Sequence, residues 1–388
     1  MTAPPGGAPG RIVVLGAGAG PRHDSFVAAC VDRLGGAPAS LAWDRFLADP
    51  DRLAAMLRPG GYLRIDTPDQ QPGPIAALYR AGRDAAAAAG FETLSDSRID
   101  GLAAGEIGSP AQLAFGLGAA TARAEATARA CGGQVSTSAA DVACAFDKAA
   151  ARDRLAAAGV PVPFALAAPE SFDDLVAAME AAGLSRVFVK LRHGSAAAGM
   201  IALARQGDRW IATTTAVDGE GGRILASRNL RRLTDRGDLA RLVDRLAPLG
   251  LHVERWLPKI GIDGRVADVR LVMLDDGSIH PVLRTSRHPI TNLHLGGDRA
   301  PVDALVRRIG DAAWQSVLAS ARSAACRFAD SHVLGLDIAV LADGRRHAVL
   351  EANIFGDFVK DFTPGARSPH AAQLDRIAAR LEPDRAAT

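Results

Sequence analysis

The chain has 388 residues, 48% hydrophobic content and a formal net charge of +2, which indicates a globular protein of about two or three domains. This charge does not indicate nucleic-acid binding, and no apolar run reaches the roughly 20 residues that would span a bilayer. Four cysteines lie far apart without Cys-x-x-Cys spacing, so we predict free thiols in a reducing cytoplasm: Cys30, Cys131, Cys144 and Cys326.

The first hundred residues predict a Rossmann-like domain. Residues 11–15 form a short apolar strand, and a glycine-rich turn at 16–20 leads into a helix over about 23–34. The third glycine comes one residue too early for a dinucleotide fingerprint, so we interpret the turn as structural. Asp66 follows another strand at its carboxyl end, where such sheets bind ligands, and is a candidate for substrate contact. Alanine-rich sequence over about 110–145 predicts a helical connector.

Lysine is rare in this chain. Of its 45 basic residues, only four are lysines: Lys148, Lys190, Lys259 and Lys360. Where arginine is used almost everywhere, a retained lysine indicates a need for its compact ammonium, as in phosphate sites. Chance retention on the surface is the alternative, especially for Lys360. Lys148 opens a short helix that we expect to end at Gly159.

A predicted hairpin surrounds Lys190. This lysine lies in the apolar strand 186–192, where its ammonium needs a partner because burying an unpaired charge is costly. The next segment, 193–199, is dominated by small residues, and a second strand follows over 200–204. The pattern predicts a flap whose backbone N–H groups could close over phosphates beside Lys190. A flexible surface loop is the alternative.

Residues 268–284 predict a second hairpin with a polar face. Asp268 and Arg270 share one side of its first strand, and an odd loop length would bring Arg284 to that side. Surface pairing is the alternative for these arginines. Further polar side chains follow in the loop over 285–297, at Arg287, His288, Asn292 and His294.

The last strong signal is a predicted hairpin over 337–353 with a three-residue loop at 343–345. This loop would place Asp337 directly opposite Glu351, with Asn353 on the same face as Glu351. Two opposed carboxylates are unfavourable unless a cation lies between them, and oxygen ligands without His or Cys suit Mg²⁺. We therefore predict a nucleotide-bearing Mg²⁺ site. A solvated hairpin end with ordinary surface acids is the alternative.

The order of these features resembles the ATP-grasp superfamily over about residues 141–365. The segment 291–297 is similar to the Asn-Leu-x-x-Gly-Gly stretch of RimK-type amino-acid ligases. The whole chain more closely resembles an uncharacterised bacterial group of ATP-grasp proteins. The features that carry the resemblance are Lys148 after Asp147, Lys190 closing its strand, the small-residue flap, Glu254 before a turn, Asp268-x-Arg270, Asn292, Asp337 and Glu351-x-Asn353.

The resemblance implies an α/β (α+β) protein with an ATP-grasp fold preceded by a Rossmann-like N-terminal domain. It implies five segments: a Rossmann-like domain over 1–100, a helical connector over 101–145, the small or lid subdomain over 146–257, the metal and catalytic subdomain over 258–365, and a C-terminal helix or tail over 366–388.

The resemblance also implies roles for individual residues. Asp337, Glu351 and Asn353 would bind two Mg²⁺ ions, Mn²⁺ being an alternative. Arg270, Arg284 and Asn292 would lie at the γ-phosphate and the acceptor. ATP would be held by Lys148, Lys190, Gly194, Ser195, Gly199, Glu254, Trp256 and Leu257, with Asp263 as a candidate for the second acid after the hinge. The segment 213–235, with arginines at 223, 228, 231 and 232, matches no role in the family; we interpret it as a solvated loop rather than a lid over an anionic substrate.

The activity implied is an ATP-dependent carboxylate–amine or carboxylate–thiol ligase, which forms an acylphosphate and releases ADP and phosphate. A small-molecule kinase on the same fold and a non-catalytic nucleotide-binding regulator are the alternatives. The expected partners are a small-molecule or peptide carboxylate and an amine, without nucleic acid or membrane. A homodimer is compatible with the resemblance because dimers are common among relatives.

Overall fold

A computed structural model describes residues 9–68, 71–355 and 369–381 of the chain. Three β-sheets, each covered by helices, organise these residues into the mixed α/β fold that the sequence predicts. Short 3-10 turns occur at Pro9–Arg11, Glu220–Gly222, Ala247–Leu249, Leu293–Leu295 and Cys326–Phe328. No helix in the described ranges combines the length and apolar content needed to cross a membrane.

The first sheet is parallel, as a Rossmann-like domain requires, with the strand order β2-β1-β3-β4. Residues of β1 and β3 are buried because helices cover both faces of the sheet. The strands are β1 (Ile12–Gly16), β2 (Ala39–Ala42), β3 (Tyr62–Ile65) and β4 (Gln134–Val135). The helices are α1 (Pro21–Leu34), α2 (Trp43–Ala48), α3 (Asp51–Met56), α4 (Pro72–Ala88), α5 (Asp96–Asp100), α6 (Pro110–Ala130) and α7 (Ala139–Ala145).

Helices α4 and α6 cross at two glycines. A Cβ atom on Gly82 would lie 1.9 Å from the carbonyl oxygen of Gln112, and one on Gly116 would lie 1.9 Å from that of Leu78. No side chain fits at this spacing, so the two backbones are in direct contact. The predicted connector is therefore packed against the first sheet's helices, and its β4 joins that sheet.

We expect Gly116→Ala to destabilise the protein by about 3 kcal/mol, because its methyl group would force the two helices apart. Gly118→Ala is the matched control on the same helix, since its Cβ would meet nothing closer than the Cβ of Ala143 at 4.0 Å. It should raise stability by up to about 1 kcal/mol through helix propensity. Urea unfolding midpoints measure both effects, and equal midpoints for the two variants would contradict the close crossing.

The second sheet is antiparallel, with the order β5-β10-β6-β7-β8-β9. Its elements are α8 (Lys148–Ala157), β5 (Ala165–Leu166), α9 (Phe172–Ala181), β6 (Arg186–Leu191), β7 (Ile201–Gln206), β8 (Arg209–Asp218), β9 (Ile224–Leu233), α10 (Arg236–Leu246) and β10 (Leu251–Arg255). The predicted hairpin around Lys190 is confirmed as β6 and β7. The predicted solvated loop over 213–235 is wrong, because most of it is the β8–β9 hairpin; the β-branched run 213–215 in β8 favours a strand.

The third sheet is also antiparallel, with the order β14-β13-β12-β15-β16 and β11 paired to β12. Its elements are β11 (Gly261–Ile262), β12 (Arg265–Leu274), β13 (Ile279–Ser286), β14 (Asp298–Ala300), α11 (Val302–Ile309), α12 (Asp311–Ala325), β15 (Val333–Val340) and β16 (His347–Asn353). The central strands β12 and β15 are mostly buried and pack on helix α12.

The C-terminal helix α13 (Pro369–Leu381) returns to the first sheet. Its Leu374 and Ile377 pack with Ile12 and Phe26 in one buried cluster. The predicted C-terminal helix is therefore present, although the predicted boundary at 365 and the residue Lys360 lie outside the described residues. The other domain boundaries remain predictions.

Candidate active site

Three of the four lysines have side chains that pair with carboxylates of the second or third sheet. Lys148 pairs with Glu351, and Lys259 pairs with Asp268. Lys190 pairs with Glu254. The chain uses arginine for nearly all other cations, so this concentration of lysine supports the prediction that these positions need an ammonium group.

Lys190 and Glu254 form a buried ion pair on neighbouring strands. Lys190 on β6 and Glu254 on β10 are 8% and 4% exposed, and His252 Nε2 lies 3.5 Å from Glu254 Oε2. Burial alone would raise the pKa of the Glu254 carboxyl, but Lys190 and His252 outweigh it and hold that pKa at about 2. Glu254 therefore stabilises the fold above its ordinary pKa of about 4.5, and this contribution is lost as the pH falls towards 2.

Lys148 joins the flap to the third sheet. Its Nζ lies 3.0 Å from Oε1 of Glu351 and donates a hydrogen bond to the carbonyl oxygen of Gly194. Asp147 caps helix α8 by accepting hydrogen bonds from two backbone N–H groups, and Arg192 binds its carboxylate through two nitrogens at 2.8 and 2.6 Å. The Asp-Lys pair in the sequence therefore fixes Lys148 at the first turn of the helix, beside the flap.

The flap over 193–199 has an unusual backbone. Ala196 and Ala197 have φ angles of 51° and 59°, in the left-handed region that alanine rarely occupies. Thr215 on β8 holds this conformation, since its Oγ1 donates to the carbonyl oxygen of Ala197 at 2.6 Å and accepts from the N–H of Met200 at 3.0 Å. The exposed Ser195 lies at the outer edge of this turn.

Asp337 and Glu351 face each other across β15 and β16, as predicted. The predicted three-residue loop is wrong, however. The N–H of Leu341 donates to the carbonyl oxygen of Arg346, which closes a loop of four residues, 342–345. A bulge beside Asp337 leaves Leu350 without a partner and restores the opposed pair.

Asn353 lies opposite Gly335, two residues beyond Glu351 on β16. Its amide nitrogen lies 3.5 Å from the carbonyl oxygen of Gly335, so its amide oxygen points away from this contact. Asn353 and the two carboxylates therefore share one face of the β15–β16 hairpin, as the alternation of side chains requires.

Two arginines hold Asp337. Arg270 binds its carboxylate through two nitrogens at 2.6 and 2.7 Å, and Arg284 lies 3.1 Å from Oδ1. Burial would raise the pKa of Asp337, but these two cations outweigh it and hold the pKa far below its usual range. The carboxylate therefore stays ionised at every physiological pH.

Arg284 extends this network to Asp268. Its Nε donates to Oδ1 of Asp268 at 2.8 Å, and Oδ2 of the same carboxylate lies 2.9 Å from Nζ of Lys259. Thr291 donates to Asp268 and lies 2.7 Å from Lys259. The register of β12 and β13 places Asp268 directly opposite Arg284, which confirms the shared polar face predicted for this hairpin.

Four residues predicted to contact nucleotide or substrate have local structural roles in this structure. Asn292 accepts a hydrogen bond from the N–H of His294 at 2.8 Å and caps a 3-10 turn. Asp263 occupies the exposed β11–β12 turn with a φ of 49°, which accounts for it as a turn residue. Trp256 packs against Phe188. In the first sheet, Arg64 binds both carboxylate oxygens of the buried Asp66 at 2.9 Å. The prediction that Asp66 contacts substrate is therefore not supported.

A cleft lies between α8, β10 and β16. It connects predicted nucleotide and metal residues, since Lys148, Glu254 and Glu351 all line it. Apolar side chains, among them Leu155 and Val349, form the rest of its walls. Ligand sites commonly combine an apolar wall with a few convergent polar groups, as this cleft does.

Comparison with known proteins finds similarity in structure but not in sequence family. No protein-family model matches the sequence, and no curated protein matches it. A structure of the ATP-grasp ligase PsnB complexed with a minimal precursor superposes with a TM-score of 0.53 at 17% identity, covering 96% of this chain and 99% of that one. The chain has the ATP-grasp fold.

Two further ATP-grasp structures have the same TM-score of 0.53. One is PsnB complexed with a phosphomimetic variant of the minimal precursor, Mg and ADP, at 16% identity with 97% and 100% of the two chains covered. The other is the macrocyclase MdnC of Microcystis aeruginosa MRC bound with its precursor peptide MdnA, at 10% identity with 95% and 99% covered. At these identities the structural similarity establishes the ATP-grasp fold. The substrate and the activity have to be argued from the residues of the site.

The donor set of this site fits Mg²⁺. Within the described ranges, no three His, Cys, Asp or Glu side chains cluster as a metal site, so Asp337 and Glu351 need Asn353, water or phosphate oxygens to complete a shell. Mg²⁺ is usually bound in this way, by one or two carboxylates together with substrate phosphates. Lys148 and Arg270 already pair with the two carboxylates, which shows that this face attracts positive charge.

The sequence alone predicts neither the contact of Lys259 with Asp268 nor that of Thr291 with Asp268. The scarcity of lysine in the chain is a signal that draws attention to Lys259. Thr291 carries no such signal, because its contact with Asp268 joins residues 23 positions apart. Only the folded ATP-grasp sheet brings the two together.

Proposed function

We propose that this protein is an ATP-dependent ligase that joins a carboxylate to an amine through an acylphosphate. The observation that carries the proposal is the pairing of Lys148, Lys190 and Lys259 with carboxylates around one hairpin that presents Asp337 opposite Glu351. Such a site combines cations for a transferring phosphoryl group with oxygen ligands for its magnesium. A Ser-His-Asp or Cys-His arrangement is not required for this chemistry.

The nucleotide would lie between the second and third sheets. Lys148 and Lys190 would hold the α- and β-phosphates, and the flap at Gly194, Ser195 and Gly199 would cover them. Glu254 would meet the ribose, with Trp256 and Leu257 beside adenine. Bound magnesium, as two ions or with Mn²⁺ as a substitute, would neutralise the phosphates and polarise the γ-phosphoryl group. Asp337, Glu351 and Asn353 would be its ligands.

The existing ion pairs suggest how the protein's own cations reach the substrate. Arg270 and Lys148 now neutralise Asp337 and Glu351, the residues that would bind magnesium. If these carboxylates held magnesium instead, both cations would be available to the anionic phosphates and the acceptor carboxylate. Arg284 would stay hydrogen-bonded to Asp268 and could orient the acceptor without a change in its side-chain position. The site thus exchanges internal ion pairs for contacts with substrate charge.

In the proposed reaction, a carboxylate oxygen of the acceptor attacks the γ-phosphorus of ATP, and the bond to the β–γ bridging oxygen breaks. ADP leaves, and an acylphosphate remains. An amine then attacks the acyl carbon, loses a proton and displaces inorganic phosphate to give an amide. The PsnB and MdnC structures contain precursor peptides, which supports a peptide as one class of acceptor.

Hydroxylamine trapping tests this proposal. The protein is incubated with MgATP and pooled carboxylates, including peptides with Asp and Glu, and ADP and hydroxamate are measured with and without hydroxylamine. We expect hydroxamate to form in step with ADP, since hydroxylamine converts an acylphosphate to a hydroxamate and phosphate. ADP with a phosphorylated hydroxyl product would identify a kinase instead. MgATP binding without turnover of any pooled acceptor would favour a regulator.

A further inference from the structure

An open groove lies between β9 and the loop that follows β13. Its volume is about 420 Å³, within the range of small-ligand sites. We call it the basic groove because its polar lining is cationic, imidazole or amide in character. It is lined by Arg228, Asn229, Leu230, His288, His294, Leu295 and Gly296.

The basic groove exists because the loop after β13 packs on the second sheet. Ile290 and Leu295 are buried in one cluster with Phe188 and Ala202, which belong to β6 and β7. Leu230 of β9 packs against the same cluster and helps to form the floor of the groove. The apolar floor holds the loop in place, so the polar side chains at its rim are presented by ordered backbone.

The cationic groups of the basic groove have no acidic partner in its lining. Its lining contains no carboxylate, and in the described part of the chain Arg228, His288 and His294 form no side-chain ion pair. Nearby arginines of the same hairpin differ, since Arg223 pairs with Glu106 at 3.3 Å and Arg231 lies 3.7 Å from Asp218. The cationic rim therefore offers charge to a molecule from outside.

The basic groove lies within a short span of chain from the proposed acceptor site. Arg284, which contacts Asp337, lies four residues before His288, and four residues span at most about 14 Å. Thr291 in the same loop donates to Asp268, which fixes the loop to β12 beside Arg284. A substrate held at Arg284 can therefore extend into the groove.

We propose that the basic groove binds a second anionic group of the acceptor substrate, a carboxylate or a phosphate that does not itself react. This inference rests on the proposed ligase function and specifies it: the acceptor carries at least two acidic groups. Arg228 supplies a planar guanidinium for an anionic oxygen pair, and the imidazoles of His288 and His294 supply N–H donors from the opposite rim. The groove would select acidic acceptors and orient them towards Arg284.

The test measures binding of a fluorescein-labelled hexaglutamate peptide by anisotropy at constant ionic strength, without nucleotide. A labelled hexaglutamine peptide is the uncharged reference. The groove variants are Arg228→Gln and the double variant His288→Gln/His294→Gln. Arg232→Gln is the matched control, because Arg232 is an exposed arginine of the same strand that does not line the groove.

We expect hexaglutamate to bind wild-type protein at least tenfold more tightly than hexaglutamine. The affinity of the groove variants for hexaglutamate should fall at least fivefold, whereas that of Arg232→Gln should fall less than twofold. Displacement by glutarate rather than by inorganic phosphate would identify a carboxylate site, and the reverse order a phosphate site. Equal losses in Arg232→Gln, or equal binding of the two peptides, would overturn the proposal. Because nucleotide is absent, failure of the hydroxylamine assay would contradict the ligase function without altering this result.

Discussion

Glu351→Gln is expected to abolish magnesium-dependent ATP turnover while the protein stays folded. Glutamine keeps the size of the side chain but removes the charge that stands opposite Asp337 and would bind the metal. We expect kcat for ADP release to fall at least about a hundredfold, which corresponds to roughly 2.7 kcal/mol of activation free energy. The fold should tolerate the change, since the Glu351 side chain is 33% exposed and its pair with Lys148 contributes at most about 1 kcal/mol.

Glu220→Gln is the control for this change, because Glu220 is an exposed acid in the turn between β8 and β9. It should leave ADP release unchanged within twofold. Circular dichroism and the thermal midpoint of each variant show whether the fold is intact. Near-normal ADP release by folded Glu351→Gln protein would remove Glu351 from the metal site.

The Asp337–Glu351 pair is predicted correctly from a wrong loop length. A three-residue loop and a four-residue loop differ by one residue of register, which would ordinarily turn every side chain of one strand to the other face. The bulge at Leu350 compensates for the longer loop, so the two carboxylates still meet. Bulges leave no clear mark in a single sequence, so the prediction from the loop holds only because the bulge offsets the error in loop length.

The prediction for the segment that forms β8 and β9 is wrong for a different reason. Its arginines at 228, 231 and 232 indicate solvent exposure, and exposure is more typical of a loop than of a buried strand. Edge strands also carry charged side chains, however, because charge discourages pairing with other chains. Strand β9 is the edge of the second sheet, so its arginines are compatible with regular structure. The same edge supplies Arg228 to the basic groove.

The ion-pair network around Asp268 is only half predictable. The i to i+2 spacing of Asp268 and Arg270, and the hairpin that opposes Arg284 to Asp268, follow from strand geometry. The contacts of Lys259 and Thr291 depend on how a turn and a loop fold back over that hairpin. Such contacts need the packed structure, because no local pattern fixes the distance between two irregular segments.

Lys190→Met is expected to have two separable effects, because Lys190 is both a buried partner of Glu254 and a proposed phosphate ligand. Methionine has a similar length, but it leaves the carboxylate of Glu254 buried, with His252 as its remaining partner among the described residues. Breaking a buried pair in this way should lower the free energy of unfolding by about 3 kcal/mol. Loss of the ammonium should also weaken MgATP binding at least tenfold.

The double variant Lys190→Met/Glu254→Gln separates the two effects. Replacing the carboxylate with a neutral amide removes the unpaired buried charge, so most of the lost stability should return. The affinity for MgATP, measured by calorimetry, should not return, because no ammonium is restored and Glu254, which would meet the ribose, has also lost its charge. A double variant with wild-type affinity would show that Lys190 serves only to neutralise Glu254, and the phosphate role would then belong to Lys148 alone.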